Sequence, residues 1–170
     1  MTIPRPEHPN PQFYRENWFS LNGEWQFEID PFTGGRNDAM LEKETYTQKI
    51  TVPFCPESAL SGIQNTDFME CVWYKRTFTL PQTFDGGRVL LHIGACDYQT
   101  EVWVNGKSAG THLGGYVSFT FDITHLVGEE NTIVICAEDH LRSHTQPSGK
   151  QSGQRQSYQC FYTRTTGIWQ

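Results

Sequence analysis

Hydrophobic and polar residues alternate with a period of two along most of the chain. Trp25, Phe27 and Ile29 alternate with Gln26 and Glu28 just after an Asn-Gly pair. Such alternation places successive side chains on opposite faces of a β-strand. About eight short runs of this kind follow one another, with turn signals roughly every 8 to 12 residues. The pattern predicts an all-β sandwich or barrel.

The clearest hairpin signal lies at "TEVWVNGK". Thr100, Val102 and Val104 fall on one face of the predicted strand and Trp103 falls on the other. The Asn-Gly pair at 105–106 tolerates positive φ at both positions and favours a two-residue turn. Most large aromatic residues are packing residues, so we expect Trp103 to pack on neighbouring structure rather than on a ligand.

The same alternation predicts the core. Eleven residues are expected to point mainly inward: Trp25, Phe27, Val89, Leu91, Ile93, Val102, Val104, Phe119, Phe121, Ile133 and Ile135. Only residues 38–45 offer a turn or two of helix. The strand predicted over 86–97 follows a Gly-Gly turn. Gly114 and Gly115 are expected to let the backbone turn sharply or lie close to a neighbour.

Composition narrows the function. The 170 residues carry 13 basic and 19 acidic side chains, for a net charge of −6. An acidic chain without a basic stripe does not attract a phosphate backbone, so nucleic acid is not an expected partner. Aromatic residues make up 14% of the chain. They suit either a β-core or the stacking faces of a sugar-binding site.

The five cysteines, at 55, 71, 96, 136 and 160, form no C-x-x-C pair. Cys96 and Cys136 lie in apolar runs and are expected to be small buried residues. The cysteine pattern and the lack of an apolar leader favour a cytoplasmic location; a removed signal would make the protein secreted or periplasmic. No stretch approaches the roughly 20 apolar residues of a membrane span, so no membrane partner is expected.

The two ends of the chain differ from its middle in amino-acid composition and lack its alternating pattern. Residues 1–17 carry four prolines and are predicted to form an extended arm, with one domain over 18–170. The segment from 140 onward is polar, long and rich in glutamine, and long ordered loops are usually functional. The sequence stops within a strand-like "TGIWQ". We therefore expect a fragment of a longer protein.

The sequence contains no set of residues with the spacing expected of a catalytic site. A glycosidase needs two carboxyl groups about 5 to 9.5 Å apart, and neighbours such as Glu138 and Asp139 point to opposite faces of a strand. His140 and His144 have a helical i, i+4 spacing, but Pro147 and Gly149 follow them and no third ligand is evident. We predict no catalytic residue, no metal site and no cofactor.

Several stretches occur in the order of one known family. They are "SLNGEWQFEID", "VWYKRTF", "ACDYQTEVWVNGKSAGTHLGGYVSFTFDITHLVGEENTIVICAED" and "TRTTGIWQ". Together they resemble the N-terminal sugar-binding domain of glycoside hydrolase family 2, over about 18 to 170. That family contains β-galactosidases, β-glucuronidases and β-mannosidases.

The resemblance implies a galactose-binding-like jelly-roll sandwich. It also implies a longer enzyme, here called the parent, with an immunoglobulin-like domain and a (β/α)₈ barrel that holds the catalytic glutamates. The domain is then non-catalytic, packs on that barrel and completes its substrate pocket. The parent is expected to be a homo-oligomeric, retaining exo-β-glycosidase, and a β-galactosidase in particular.

The resemblance places substrate contacts in the loop from 140 to 164. Lys150 and Gln151 can donate hydrogen bonds to sugar hydroxyls, and Tyr162 offers a ring face and a hydroxyl. Arg164 can serve a carboxylate or brace the loop, and Asp139 can brace the loop or touch a ligand. Several family members have an aspartate six residues before the closing Gly-Ile, where this sequence has Phe161.

Two alternatives share the predicted fold. One is a free-standing carbohydrate-binding module or lectin, and the other is a purely architectural interaction domain. A lectin binds sugar by itself, whereas a domain that only completes a pocket binds weakly or not at all. Without the barrel as a packing partner, part of 143–160 is expected to be mobile.

Overall fold

A computed structural model describes residues 2–33, 39–84, 86–143 and 145–170. Ten strands make up most of its regular structure: β1 Gly23–Ile29, β2 Gln48–Val52, β3 Cys71–Thr79, β4 Leu90–Ile93, β5 Cys96–Asp97, β6 Gln99–Val104, β7 Lys107–Leu113, β8 Phe119–Asp122, β9 Glu130–Glu138 and β10 Gly167–Ile168. Among the described residues, the helical elements are short: α1 Ala39–Glu42 and two 3₁₀ turns, Pro11–Phe13 and Ala59–Ser61. The all-β prediction is confirmed.

One large sheet dominates the structure. Its strand order is β2-β1-β3-β9-β6-β7, and every neighbouring pair in it is antiparallel. Two further pairs, β4 with β8 and β5 with β10, form small antiparallel sheets. Among the described residues, no helix is long and apolar enough to cross a membrane.

The predicted strand over 86–97 is broken into β4 and β5. The break falls at Gly94, where an added Cβ would lie 2.7 Å from the backbone carbon of Gln170. The backbone of Ala95 also donates a 2.9 Å hydrogen bond to the carbonyl of Gln170. The returning chain therefore separates β4, which pairs with β8, from β5, which pairs with β10.

The predicted hairpin forms as expected. Asn105 and Gly106 both have positive φ, 52° and 75°, between β6 and β7. The Asn105 side chain also donates to Leu126 O and Asn131 Oδ1 and accepts from the backbone of Thr132. The turn is thereby tied to the start of β9, as well as setting the register of its own hairpin.

The core lies against one face of the large sheet. Eight of the eleven predicted inward residues are buried in it: Trp25, Phe27, Leu91, Ile93, Val102, Val104, Ile133 and Ile135. The other three, Val89, Phe119 and Phe121, are partly buried and pack against it. Period-two alternation therefore predicted the core correctly.

The opposite face of the large sheet carries a second apolar group, here called the outer cluster. Its buried members are Tyr46, Cys71, Trp73, Val134 and Cys136, with Met40, Leu41 and Trp103 packed against them. Trp103 stacks on Trp73 with ring centroids 5.7 Å apart. The prediction that Trp103 packs on neighbouring structure is confirmed, and so is the burial of Cys96 and Cys136.

Candidate functional site

The long polar loop connects β9 to β10. Here the loop means residues 139–166, without residue 144, which lies outside the described residues. It has little regular structure beyond isolated bridges between Gln151 and Tyr162 and between Tyr158 and Phe161. Reciprocal backbone hydrogen bonds of 2.7 Å, from Tyr162 to Lys150 O and from Ser152 to Tyr162 O, close its two arms on each other. All five predicted substrate-binding residues lie on this segment.

Gln151 joins the loop to the sheet. Its Nε2 donates to Asp97 Oδ2 at 2.8 Å and to the hydroxyl of Tyr116 at 3.2 Å. Its Oε1 accepts a 2.8 Å hydrogen bond from the backbone of Thr165. The amide is therefore engaged within the domain on both sides, whereas the sequence-based prediction assigned its donor to a sugar.

Asp97 is a buried carboxyl group beneath the loop with a raised pKa. Its side chain is buried, and Oδ1 has no hydrogen-bond partner among the described residues. Burial and the nearby charge of Asp139 raise the pKa of Asp97 to about 7, against the lowering effect of the hydrogen bond from Gln151. Sequence reasoning missed Asp97, because nothing in "GACDYQ" signals that a distant loop covers it.

Gly115 allows this close packing. A Cβ at this position would lie 2.2 Å from Asp97 Oδ1, so any larger residue would collide with the carboxyl. Its carbonyl accepts a 2.8 Å hydrogen bond from the indole of Trp169. Gly114, its neighbour, has a positive φ of 123°. The expectation that these glycines turn the chain and approach a neighbour closely is confirmed.

Asp139 and Arg164 hold the loop from inside, and both are buried. Asp139 Oδ1 accepts a 2.6 Å hydrogen bond from Gln146 Nε2. Burial raises the pKa of Asp139. Of the two roles that the sequence left open for this residue, the structure supports bracing of the loop.

The guanidinium of Arg164 binds backbone carbonyls of the loop and of the segment before β3. It donates to the carbonyls of Ser152, Gln154, Arg155 and Thr66. Its guanidinium carbon also lies 4.1 Å from the ring centroid of Phe68. A side chain with these neighbours braces the loop. Its Nη1 and Nη2 donors point toward protein carbonyls, and its buried Nε has no hydrogen-bond partner among the described residues.

Lys150 and Tyr162 lie on the outward side of the loop. Lys150 is exposed, and Tyr162 is 66% exposed. Three other aromatic residues on or against the loop are also exposed: Tyr116, Tyr158 and Phe161. We call the four aromatic residues the aromatic rim. Phe161 is thus a surface residue of the loop, at the position where several family members carry an aspartate.

A groove of about 440 Å³ opens where β9 runs into the loop. Its lining includes Glu70, Tyr98, Glu138, His140, Arg142 and Gln146. His140 Nε2 lies 3.8 Å from Glu138 Oε2, and its Nδ1 lies 3.7 Å from Glu70 Oε2. His144, the other histidine of the i, i+4 pair, lies outside the described residues.

Comparison with known proteins gives a consistent family. The profile of the family described as "Glycosyl hydrolase 2 galactose-binding domain-like" matches residues 42–168. The β-glucuronidase of Paenibacillus borealis is 32% identical over 133 residues, which is 76% of this chain and 22% of that protein. The β-glucuronidase of Felis catus is 34% identical over 145 residues, with the same shares covered.

Solved structures agree with this assignment. The β-glucuronidase of Lactobacillus rhamnosus superposes with a TM-score of 0.62 at 28% identity, over 70% of this chain and 20% of that one. The chain spans about a fifth of the length of the relatives it matches. These likenesses confirm the galactose-binding-like form of the predicted sandwich. The chain belongs to the galactose-binding-like domain family of glycosyl hydrolase 2.

Proposed function

We propose that this chain is a non-catalytic domain of a longer glycoside hydrolase, and that its loop borders the substrate pocket of a separate catalytic barrel. One observation carries the proposal: hydrogen bonds hold the inner side of the loop against the domain, while its outer side is exposed to solvent. Gln151 and Arg164 tie it to the sheet and to its own backbone, while Lys150 and Tyr162 remain exposed. A loop held in place that presents polar and aromatic groups suits recognition of a hydroxyl-rich ligand.

A terminal β-glucuronide is the substrate that we propose for the parent. The relatives reported above are named β-glucuronidases, and they lend no support to the β-galactosidase expected from sequence. A uronate differs from a galactoside by its carboxylate. Lys150 offers an exposed ammonium group of opposite charge on the loop.

Kinetics of the parent test this proposal. Lys150→Ala should lower kcat/KM on an aryl β-glucuronide by the equivalent of about 1 to 3 kcal/mol and leave folding intact. The matched control is Lys107→Ala, because Lys107 is also exposed but lies at the turn end of the β6–β7 hairpin. Unchanged kinetics for Lys150→Ala would remove the loop from the substrate site. A parent that prefers β-galactosides would reject the glucuronide assignment.

The carbohydrate-binding module remains the second candidate, because the aromatic rim also suits sugar stacking. Calorimetry of the 170-residue chain with galactose, glucuronate and mannose separates the two. Binding of one sugar with useful affinity would favour the module, and weak or no binding favours a domain that completes a pocket. Turnover of an aryl β-glycoside by this chain, abolished by a mutation within it, would contradict the non-catalytic assignment.

A further inference from the structure

Two cysteines and a glutamate meet on the outer face of the large sheet. Cys71 on β3 lies opposite Glu138 on β9, and Cys136 lies two residues before Glu138 on the same strand face. The Sγ atoms of the cysteines are 3.5 Å apart. One ligand atom from each of the three residues lies within 4.8 Å of the others, and all three side chains are buried.

We propose that Cys71, Cys136 and Glu138 bind a thiophilic divalent metal ion, Zn²⁺. Thiolate sulfur and carboxylate oxygen both belong to the ligand set of protein zinc sites. Two sulfurs bound tetrahedrally at about 2.3 Å from zinc stand about 3.8 Å apart. The measured 3.5 Å therefore needs only a small outward shift of the thiols. Binding replaces the two thiol protons, which leave to solvent.

His140 supplies the fourth ligand. Its Nε2 lies 3.8 Å from Glu138 Oε2 but outside the group formed by the three donors, so a rotation of this half-exposed side chain is needed to bring Nε2 to the metal. Its other nitrogen already faces a carboxylate, with Nδ1 3.7 Å from Glu70 Oε2. Metal-bound histidines usually donate their second ring N–H to such a group, which fixes the tautomer. Glu70 is therefore a positioning residue of the site.

The groove provides a path for the ion. It is lined by Glu70, Glu138 and His140, so one wall is acidic and includes the carboxylate of the proposed site. The bound ion joins β3 to β9 and lies next to His140 in the first residues of the loop. It acts as a structural clip across the two central strands, independently of whether the loop touches a sugar.

The competing explanation is packing alone. Both cysteines belong to the outer cluster, beside Trp73 and Val134, and buried cysteines outside disulfides commonly behave as small apolar residues. That explanation predicts that the two thiols do not bind metal ions. It differs from the proposal in a measurable way, because thiolate coordination of Co²⁺, a spectroscopic substitute for Zn²⁺, gives sulfur-to-metal charge-transfer absorption.

The test is a Co²⁺ titration of the reduced, chelator-treated protein. We expect charge-transfer absorption that saturates at one equivalent and is abolished by Zn²⁺. Cys71→Ser and Cys136→Ser should remove it, and Glu138→Gln and His140→Ala should each weaken Co²⁺ binding by about tenfold or more. Cys160→Ser is the matched control and should leave the titration unchanged. Cys160 is an exposed free cysteine on the long loop and belongs to neither β3 nor β9.

X-ray absorption of the zinc-loaded wild-type protein makes the test independent of variant folding. It should show two sulfur atoms at about 2.3 Å. A shell of oxygen and nitrogen alone, absence of charge-transfer absorption, or a signal that survives Cys71→Ser but is lost in Cys160→Ser would each overturn the proposal. Unchanged affinity in His140→Ala would overturn the assignment of His140 as the fourth ligand.

Discussion

Gln151 Nε2 donates a 2.8 Å hydrogen bond to Asp97 Oδ2, joining residues 54 positions apart in the sequence. The bond lies between the long loop and the short strand β5, which itself pairs with β10 at the end of that loop. The loop is therefore fastened to the same strand at two points. Its position depends on the Asp97 side chain as well as on backbone pairing.

Loss of this bond should destabilise the domain. Gln151→Ala leaves a buried carboxyl without its donor and frees the backbone N–H of Thr165, so we expect the free energy of unfolding to fall by about 1 to 3 kcal/mol. Urea unfolding measures the change. The adjacent, exposed Lys150→Ala should stay within about 0.5 kcal/mol of wild type. Equal stability of the two variants would contradict the bracing role of Gln151.

Stability should fall as the pH rises from about 4 to 7. The pKa of folded Asp97 is raised to about 7, so in this window the folded chain keeps a proton that the unfolded chain releases. The linkage is worth up to about 1.4 kcal/mol for each pH unit and ends above pH 7. Burial of Glu57 and Asp139 raises their pKa values and acts in the same direction.

The variant Asp97→Asn checks the origin of this slope. It cannot ionise, so its unfolding free energy should vary less between pH 4 and 7, and its stability relative to wild type should be greater at pH 8 than at pH 4. Thermal unfolding over this range measures both quantities. Asp67→Asn, at an exposed ion pair with Arg155, serves as control. A slope that is the same in wild type and Asp97→Asn would remove Asp97 as its source.

Arg164 should not tolerate lysine. A single ammonium cannot reach carbonyls on both sides, from Ser152 and from Thr66, so Arg164→Lys should cost about 2 to 4 kcal/mol and expose the loop to protease. Urea unfolding and trypsin cleavage after Lys150 or Arg155 report the two effects. Arg155→Lys, which alters an exposed ion pair, should cost no more than about 1 kcal/mol. Similar losses in both variants would argue against the bracing role.

Mobility in the loop should be confined to its exposed stretch. Residues 153–162 are exposed, whereas Ser152 and Arg164 on either side are buried. Within this stretch, the backbone N–H groups of Phe161 and Tyr162 are held by hydrogen bonds to the carbonyls of Tyr158 and Lys150. Hydrogen exchange should therefore be fast over 153–160, slower over 161–166, and slowest in β3 at the middle of the sheet. Uniform protection across 150–166 would contradict the prediction that part of this segment is mobile.

Local pattern predicted the strands because their burial is a local property. Val102 and Val104 alternate with polar neighbours, and the Asn-Gly turn at 105–106 is encoded by adjacent residues. The length and polarity of the loop were also predictable, because both are properties of its own sequence. Its internal braces were not visible, because the contacts of Arg164 and Gln151 depend on how separate stretches pack.

The two buried groups that sequence reasoning missed are non-local as well. Asp97 acquires its raised pKa only when Gly115 and the loop close over it. Cys71 and Cys136 stand 65 positions apart and meet only because β3 pairs with β9 in one register. A one-residue slip of that register would turn one of the two cysteines to the other face.

The strand order of the large sheet also sets how the chain can fold. β3 and β9 form its middle, yet their paired residues lie roughly 50 to 70 positions apart in sequence. The hairpin of β6 and β7 closes locally and can form early, on a microsecond scale of about 1 to 10 μs. Completion of the sheet must wait for closure of the long β3–β9 loop, which makes folding slow for a domain of this size. During synthesis, β1 to β3 emerge with an unpaired edge on β3, and only the arrival of β9 covers it.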